Sequence, residues 1–231
     1  KINWLKQAVN VNHSPQTAAA KSFGVPVVVG LLGRWLDLRT MDRISLVLAS
    51  RSPRRQELLR RAGLDFEVVT APVEERDDEE LTGRELALLN AYRKAVSVAR
   101  RLPGRLVLGA DTVVCLGTRK LGKPCDLDEA VRMLEQLQGR THHVITGVAL
   151  IRLESGEERV FAETTHVTFR PLARSEIEAY IARVNPLDKA GAYAIQEHGE
   201  MLVVGIDGSY SNVVGLPMER LLEELKRWGV H

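Results

Sequence analysis

Six consecutive residues, Ser50 to Arg55, combine two hydroxyls, a proline and three guanidinium groups. An apolar run predicts a buried strand before them, and a helical pattern follows them. Ser52 suits the N-cap of that helix and Pro53 suits its first position. Because a helix N-terminus is electropositive, Arg54 and Arg55 in the first turn predict that an anion, such as a phosphate, binds there. The alternative is a solvated basic helix face.

A single carboxylate interrupts an otherwise apolar stretch. Asp111 follows the strand-like run 106–110, and a second apolar run, 113–116, comes after Thr112. We expect the chain to turn at Thr112, which would place Asp111 at the end of a strand, facing a cleft. This position favours a catalytic or metal-binding role. A turn in which the side chain bonds its own backbone is the alternative, and the local sequence does not separate the two.

Several other ionisable residues carry weaker signals. Lys94 lies among alanines and valines in a predicted helix, as is typical of a surface lysine whose stem covers apolar neighbours. Lys123, in a Gly-Lys-Pro turn, also has the pattern of a surface lysine. His142, His143 and His166 could contribute to a metal site, but adjacent histidines point to opposite faces of a strand. The chain has no GxxxxGK[ST] pattern, which disfavours a Walker-type ATPase.

The elements that must position these residues alternate between strand and helix patterns, which favours an α/β architecture. Two long segments, 144–151 and 160–169, form a predicted antiparallel hairpin, so we expect a mixed sheet. Ser175 is the expected N-cap of one helix. The other predicted strands are 46–49, 66–70, 106–110 and 201–206, and the other predicted helices are 84–101, 126–139 and 217–228.

Composition limits the function classes. The 231 residues are 45% hydrophobic with a net charge of +2, which predicts a globular protein with one sizeable core or two small lobes and no general affinity for polyanions. Aromatic residues make up only 5%, which disfavours a nucleic-acid-binding module. Two cysteines without metal-like spacing favour a reducing, cytoplasmic location. The apolar run 24–33 is too short to span a bilayer. We interpret residues 1–40 as a poorly ordered N-terminal extension and 41–231 as the functional module.

Five short blocks occur in a distinctive order: Leu48–Arg55, Gly109–Thr112, Gly122–Pro124, Asp188–Tyr193 and Val214–Pro217. In that order and spacing they resemble the Maf proteins, nucleoside triphosphate pyrophosphatases that share the fold of the inosine triphosphate pyrophosphatases. The resemblance implies a mixed, curved central sheet flanked by helices, with a cleft between two lobes. It also implies hydrolysis of a nucleoside triphosphate to a monophosphate and pyrophosphate in a housecleaning role.

The resemblance implies roles for individual residues. Asp111 matches the catalytic proton acceptor, and we expect Glu75 and Asp111 to hold Mg²⁺ or Mn²⁺. A free aspartate, with a pKa of about 3.9, is a poor base at neutral pH, so the metal must acidify the water or the site must raise that pKa. The matching phosphate-binding positions are Ser50, Arg55, Lys94 and Lys123. The positions associated with substrate choice are Arg54, Thr112 and Gln196, the set typical of the dTTP/UTP subfamily.

One departure and one rival function accompany this resemblance. Tyr92 and Arg93 stand before Lys94 where many members have Arg-Glu. The rival is a non-catalytic nucleotide-binding regulator of cell division or septum formation, which would have no need of Asp111 or a metal. The expected partner is the nucleoside triphosphate, with neither nucleic acid nor membrane. Because family members often form dimers, the resemblance also implies a homodimer.

Overall fold

Seven strands form one mixed sheet in the computed structural model, which describes residues 46–230. They are β1 (Leu46–Leu48), β2 (Phe66–Val68), β3 (Leu106–Leu116), β4 (Arg119–Leu121), β5 (Thr141–Arg152), β6 (Glu157–Phe169) and β7 (Val203–Asp207). Their order is β2-β1-β3-β5-β6-β7, and β4 pairs with β3. β1 is parallel to β2 and β3, and the remaining pairs are antiparallel. The predicted extension, residues 1–40, lies outside the described residues.

Helices flank this sheet, and its core includes two large hydrophobic clusters. The helices are α1 (Pro53–Arg61), α2 (Gly83–Ala99), α3 (Leu127–Leu137), α4 (Arg174–Ile181), α5 (Tyr210–Val214) and α6 (Met218–Arg227), with 3-10 turns at Ala190–Ala192 and Gly199–Met201. One cluster joins β1 and β3 to α1 and α6, and includes Leu59 and Leu221. The other joins α3 and α4 to β5 and β6, and includes Leu134 and Phe169. The mixed α/β sheet flanked by helices is confirmed.

The turn from β1 into α1 has the predicted local structure. Ser52 caps α1, its side chain accepting from the backbone N–H of Arg55 at 3.5 Å, and Pro53 begins the helix. Gly63 follows the helix with a φ of +72°. The expected N-cap at Ser175 is wrong. Ala173 holds that position in α4, and its backbone N–H donates to the Glu176 side chain at 2.8 Å.

The expected turn at Thr112 is also wrong. β3 continues through Asp111 and Thr112 because β5 pairs with it along this stretch, with Gly147 opposite Asp111 and Thr146 opposite Thr112. Asp111 therefore lies in the middle of a strand, which excludes the turn in which its side chain would bond its own backbone. Sequence periodicity missed this because two polar residues interrupt the apolar run.

β5 covers one edge of β3, and the opposite edge of β3 is only partly paired. β1 pairs with residues 106–108, and β4 pairs with residues 114–116. Between them, no strand of the described chain pairs with this edge. The backbone there is open to the Arg55 side chain from α1, and the candidate site lies against it. No helix within residues 46–230 is long and apolar enough to cross a membrane.

Candidate active site

A cavity of about 390 Å³ lies beside the partly paired edge of β3. Its wall includes the β1–α1 turn, the loop after β2, the turn at Lys123 and the segment from Asp188 to Gln196. These segments carry most of the residues that the sequence singled out. The tertiary structure therefore brings together positions that are up to 146 residues apart, from Ser50 to Gln196.

A lysine bridges two carboxylates at one side of this cavity. The Lys94 ammonium donates to Glu75 Oε1 at 2.6 Å and to Asp111 Oδ1 at 2.7 Å. Only 10% of the Lys94 side chain and 8% of the Asp111 side chain are exposed. Lys94 is thus a buried ion-pair partner, and its interpretation as a surface lysine is wrong. Its charge compensates a carboxylate that would otherwise be very costly to bury.

The two carboxylates differ in their protonation behaviour. Burial raises the pKa of Asp111 above its ordinary value, although the Lys94 charge opposes this shift. Burial would also raise the pKa of Glu75, but the charge and hydrogen bond of Lys94 outweigh it and lower the pKa to about 2. The difference follows from exposure, since the Glu75 side chain is 46% exposed. Asp111 is therefore the more basic carboxylate.

Close packing of α2 against the sheet places Lys94 over Asp111. At Gly109 an added Cβ would lie 2.3 Å from the Ala91 carbonyl oxygen, and at Gly147 it would lie 2.3 Å from the Ala87 carbonyl oxygen. Side chains at either position would hold the helix away from the strands. The two glycines therefore determine how closely Lys94 approaches Asp111.

Asn90 is a functional neighbour that sequence reasoning missed. Its buried amide accepts from the Arg76 backbone N–H and donates to the Arg76 carbonyl, both at 3.0 Å. It also donates to Asp111 Oδ2 at 3.4 Å. One side chain thus anchors the loop that carries Glu75 and contacts Asp111. An asparagine one helical turn before Lys94, on its face, is the signal that could have found it.

Most N–H groups of the Arg55 guanidinium donate hydrogen bonds to other residues of the protein. Its Nε donates to the Gly215 carbonyl at 2.9 Å, and Nη1 donates to Ser50 Oγ at 3.1 Å and the Ala110 carbonyl at 2.9 Å. Nη2 donates to Thr112 Oγ1 at 3.0 Å. Four of the five guanidinium N–H groups thus have partners within the described residues. Arg55 braces the open edge of β3, and its predicted phosphate contact depends on the remaining N–H.

Two other predicted phosphate-binding residues line the cavity. Lys123 is about half-exposed, and its ammonium lies 3.4 Å from Glu75 Oε2. Ser50 Oγ accepts from the Ser52 backbone N–H at 3.3 Å as well as from Arg55. Lys94 and Lys123 both contact Glu75, and Ser50 lines the same cavity. The arrangement can neutralise a polyanion from several directions.

The three predicted substrate-selecting residues also line the cavity. Arg54 Nη1 lies 3.3 Å from Asp188 Oδ2. Thr112 Oγ1 lies 3.0 Å from Thr146 Oγ1 and accepts from Arg55. Gln196 is exposed in the wall of the cavity. These groups belong to different segments, so only the fold brings them to one cavity.

The carboxylates fit a metal only as part of a larger donor set. Within residues 46–230, no group of three or more His, Cys, Asp or Glu side chains is arranged to hold a metal ion. Glu75 and Asp111, however, converge on one cation, the Lys94 ammonium. Two carboxylates completed by phosphate oxygens and water are a donor set that suits Mg²⁺ or Mn²⁺.

The histidines do not join this site. His142 is fully buried, and its Nε2 lies 2.8 Å from the Tyr193 hydroxyl. His143 packs edge-on against His166 with ring centroids 4.6 Å apart. As expected from the strand alternation, the adjacent pair points to opposite faces.

The fold and site together define an α/β protein with a cation-lined cleft beside a mixed sheet. A family model described as "Maf-like protein" matches residues 45–228. The chain therefore belongs to the Maf family, and the resemblance recognised in its five blocks is confirmed.

Curated relatives cover most of the chain. A protein of Pelotomaculum thermopropionicum named "dTTP/UTP pyrophosphatase" is 48% identical over 184 residues, which is 80% of this chain and 96% of the relative. A protein of Acetivibrio thermocellus with the same name is 47% identical over 194 residues, 81% of this chain and 96% of the relative. Among solved structures, a HAM1 protein from Coxiella burnetii is 19% identical, with a TM-score of 0.36 over 55% of this chain and 73% of that one.

Proposed function

We propose that this protein is a nucleoside triphosphate pyrophosphatase that hydrolyses dTTP and UTP to the monophosphate and pyrophosphate. The observation that carries the proposal is the Glu75–Lys94–Asp111 cluster beside a cavity lined by cations. Membership of the Maf family and the shared name of relatives at 47–48% identity support the same activity.

The cations account for binding of the triphosphate. Hydrolysis of a phosphoanhydride depends on charge neutralisation and on positioning of the attacking water. Lys94, Lys123 and the N-terminus of α1 face one region of the cavity and would bind the phosphates. Phosphate oxygens would compete with Asp111 and Glu75 for the Lys94 ammonium. Movement of that ammonium towards the substrate would expose Asp111 Oδ1.

Asp111 is the proposed proton acceptor. A carboxylate whose pKa is raised by burial is a better base than a free aspartate. Asn90 contacts its second oxygen and so orients the carboxylate. The water that Asp111 deprotonates would attack the α-phosphorus, and pyrophosphate would leave towards Lys123 and Ser50.

A divalent metal is part of the proposal. Glu75 and Asp111 would hold Mg²⁺ or Mn²⁺ together with substrate oxygens. When bound, such an ion neutralises phosphate charge and lowers the pKa of bound water.

Base selection is assigned to Arg54, Thr112 and Gln196. Hydroxyl, amide and guanidinium groups can pair with the two carbonyls and the N–H of uracil or thymine. The expectations of a cytoplasmic location and a homodimer stay predictions from the sequence.

A product assay tests the function. We would incubate the full chain with dTTP, UTP, CTP, ATP and GTP, with Mg²⁺ or Mn²⁺, and separate the products by anion exchange. We expect dTTP and UTP to yield monophosphate and pyrophosphate. In H₂¹⁸O, the label should enter the monophosphate, because the water attacks the α-phosphorus. Diphosphate and phosphate as products would contradict the proposal, and binding without turnover would favour the regulator.

A further inference from the structure

Lys189 is a charged residue in the cavity wall that the proposed chemistry does not use. It follows Asp188 in Asp188–Tyr193, one of the five blocks that carry the family resemblance. Only 4% of its side chain is exposed. A lysine beside a triphosphate cavity would ordinarily be assigned to a phosphate, but its hydrogen bonds indicate a different role.

The Lys189 ammonium is fully occupied within its own chain. It donates to the Asn185 carbonyl at 2.7 Å and to Asp188 Oδ1 at 2.8 Å, and it lies 3.1 Å from Glu197 Oε2. An ammonium has three N–H groups, so these three acceptors use all of them. No donor is left for a phosphate oxygen.

The partners of Lys189 adjoin two of the residues assigned to base selection. Arg54 Nη1 donates to the other carboxylate oxygen of Asp188, Oδ2, at 3.3 Å. Glu197 is the residue after Gln196. A single buried ammonium therefore ties the segment that carries Gln196 to the carboxylate that holds Arg54.

Two further bonds fix this segment between its ends. The Ala194 backbone N–H donates to the Tyr180 hydroxyl at 3.1 Å, and the Gly191 N–H donates to the Gly122 carbonyl at 2.9 Å. Lys189 and Glu197 connect the two ends of the segment across this anchored part. The Lys189–Glu197 ion pair therefore holds the Gln196 backbone together with the bond from the Glu197 N–H to the Ala194 carbonyl at 3.2 Å.

We propose that Lys189 is a positioning residue for nucleotide selection, which fixes Arg54 through Asp188 and Gln196 through Glu197. This inference rests on the proposed function. Lys189 sets the spacing of the groups that read the base and leaves the binding of the phosphates to Lys94 and Lys123.

Electrostatics indicates what its removal would do. Although burial opposes it, the hydrogen bond and charge of Lys189, together with Arg54, lower the pKa of Asp188. Without Lys189, two carboxylates share a region that has lost its central cation, which is unfavourable. Asp188 would be left with Arg54 as its cation, and Glu197 would move towards solvent. Both shifts alter the base-reading groups while the phosphate-binding groups keep their places.

The test compares selectivity instead of activity alone. We would measure kcat and KM for UTP and CTP, which carry the same triphosphate, in wild type, Lys189→Met and Lys189→Arg. We expect Lys189→Met to lower the UTP/CTP ratio of kcat/KM about tenfold, because a misplaced hydrogen-bonding group discriminates less well. Lys189→Arg should recover most of this ratio. A lost phosphate contact would lower both values equally and leave the ratio unchanged.

Two further variants keep the test decisive. Glu197→Gln changes a partly exposed residue, so it preserves the fold while removing one ion pair, and we expect a smaller loss of the same ratio. Lys120→Met is the matched control, because Lys120 donates to the Asp78 and Leu81 carbonyls, away from this wall, and the ratio should not change.

The positioning role of Lys189 and the proposed hydrolysis of UTP can be refuted independently of each other. An unchanged ratio in both Lys189→Met and Glu197→Gln would overturn the positioning role while UTP hydrolysis by the wild type stands. If Lys189→Met does not fold, Glu197→Gln alone decides. Absence of UTP hydrolysis by the wild-type chain would overturn the proposed function itself.

Discussion

Replacing Gly109 with alanine tests the packing that brings Lys94 to Asp111. The new Cβ would lie 2.3 Å from the Ala91 carbonyl oxygen, 2.7 Å from the Ala95 nitrogen and 2.8 Å from the Ala95 Cβ. Two of these atoms belong to the backbone of α2, so no side-chain rotation relieves the contact. The helix must move away from β3.

The size of the effect follows from these distances. An ordinary contact begins at 3.4 Å, so the carbonyl oxygen and the new carbon must separate by about 1 Å. Overpacking of this kind costs about 3 kcal/mol of stability, which corresponds to about 6–12 °C in Tm for a domain of this size. If Lys94 moves with the helix, its 2.7 Å bond to Asp111 lengthens beyond hydrogen-bonding distance. A displacement of about 1 Å lowers kcat/KM about a hundredfold.

Thermal unfolding and steady-state hydrolysis of UTP would measure both effects. Gly205→Ala is the matched control, because the nearest atom to its added Cβ, Thr168 Cβ, lies at 3.8 Å. We expect this control to keep the Tm and kcat/KM of the wild type. A Gly109→Ala protein with wild-type Tm and activity would refute the close approach of α2 and the positioning of Lys94 that depends on it.

Three other predictions address single side chains. Asp111→Asn should abolish turnover and spare nucleotide binding measured by calorimetry, whereas Asp207→Asn, at an exposed position on β7, should leave both unchanged; near-normal turnover in Asp111→Asn would contradict its role as base. Gln196→Glu should shift the order of preference among nucleotides, and an identical order would count against base reading by Gln196. Burial lowers the pKa of His142 to about 4, below its ordinary value of 6.5, so the native state resists protonation there. The free energy of unfolding should therefore be highest above about pH 6.5 and fall by up to about 3 kcal/mol as the pH drops to 4, with a smaller fall in His142→Gln. Urea unfolding at a series of pH values would measure this free energy. An identical dependence on pH in the wild type and in His142→Gln would show that His142 contributes nothing.

The local structure around the first turn could be read from the sequence. Ser52 and Pro53 act through their own side-chain and backbone preferences, which are properties of single residues and near neighbours. The same holds for α2 and for the long hairpin of β5 and β6, whose apolar periodicity extends over many residues. The cap at Ser175 was mispredicted because the Glu176 side chain serves the N-terminus of α4 from within the helix.

The burial of Lys94 and Asp111 and the ion pair between them could not be predicted from local sequence. Lys94 has the local pattern of a surface lysine, and the local sequence around Asp111 fits a turn residue as well as a catalytic one. Their burial depends on Gly109 and Gly147, which let α2 approach strands that are distant in sequence. No local pattern encodes that approach. The prediction that Lys94 binds phosphate therefore rests on the family resemblance alone.

By itself, the sequence determined the α/β class, the capped turn from β1 into α1 and, through five blocks, membership of the Maf family, whereas anion binding at that turn stays a prediction. These features depend on residue types and on the order of near neighbours, which are present in the chain before it folds. Tertiary structure decided how the charges are used. In the fold, Arg55 contacts the partly paired edge of β3, and Lys94 lies between two carboxylates. The Lys189 ammonium has three acceptors of its own chain. A buried charge must find partners, and which partners lie within hydrogen-bonding distance is a property of the packed fold.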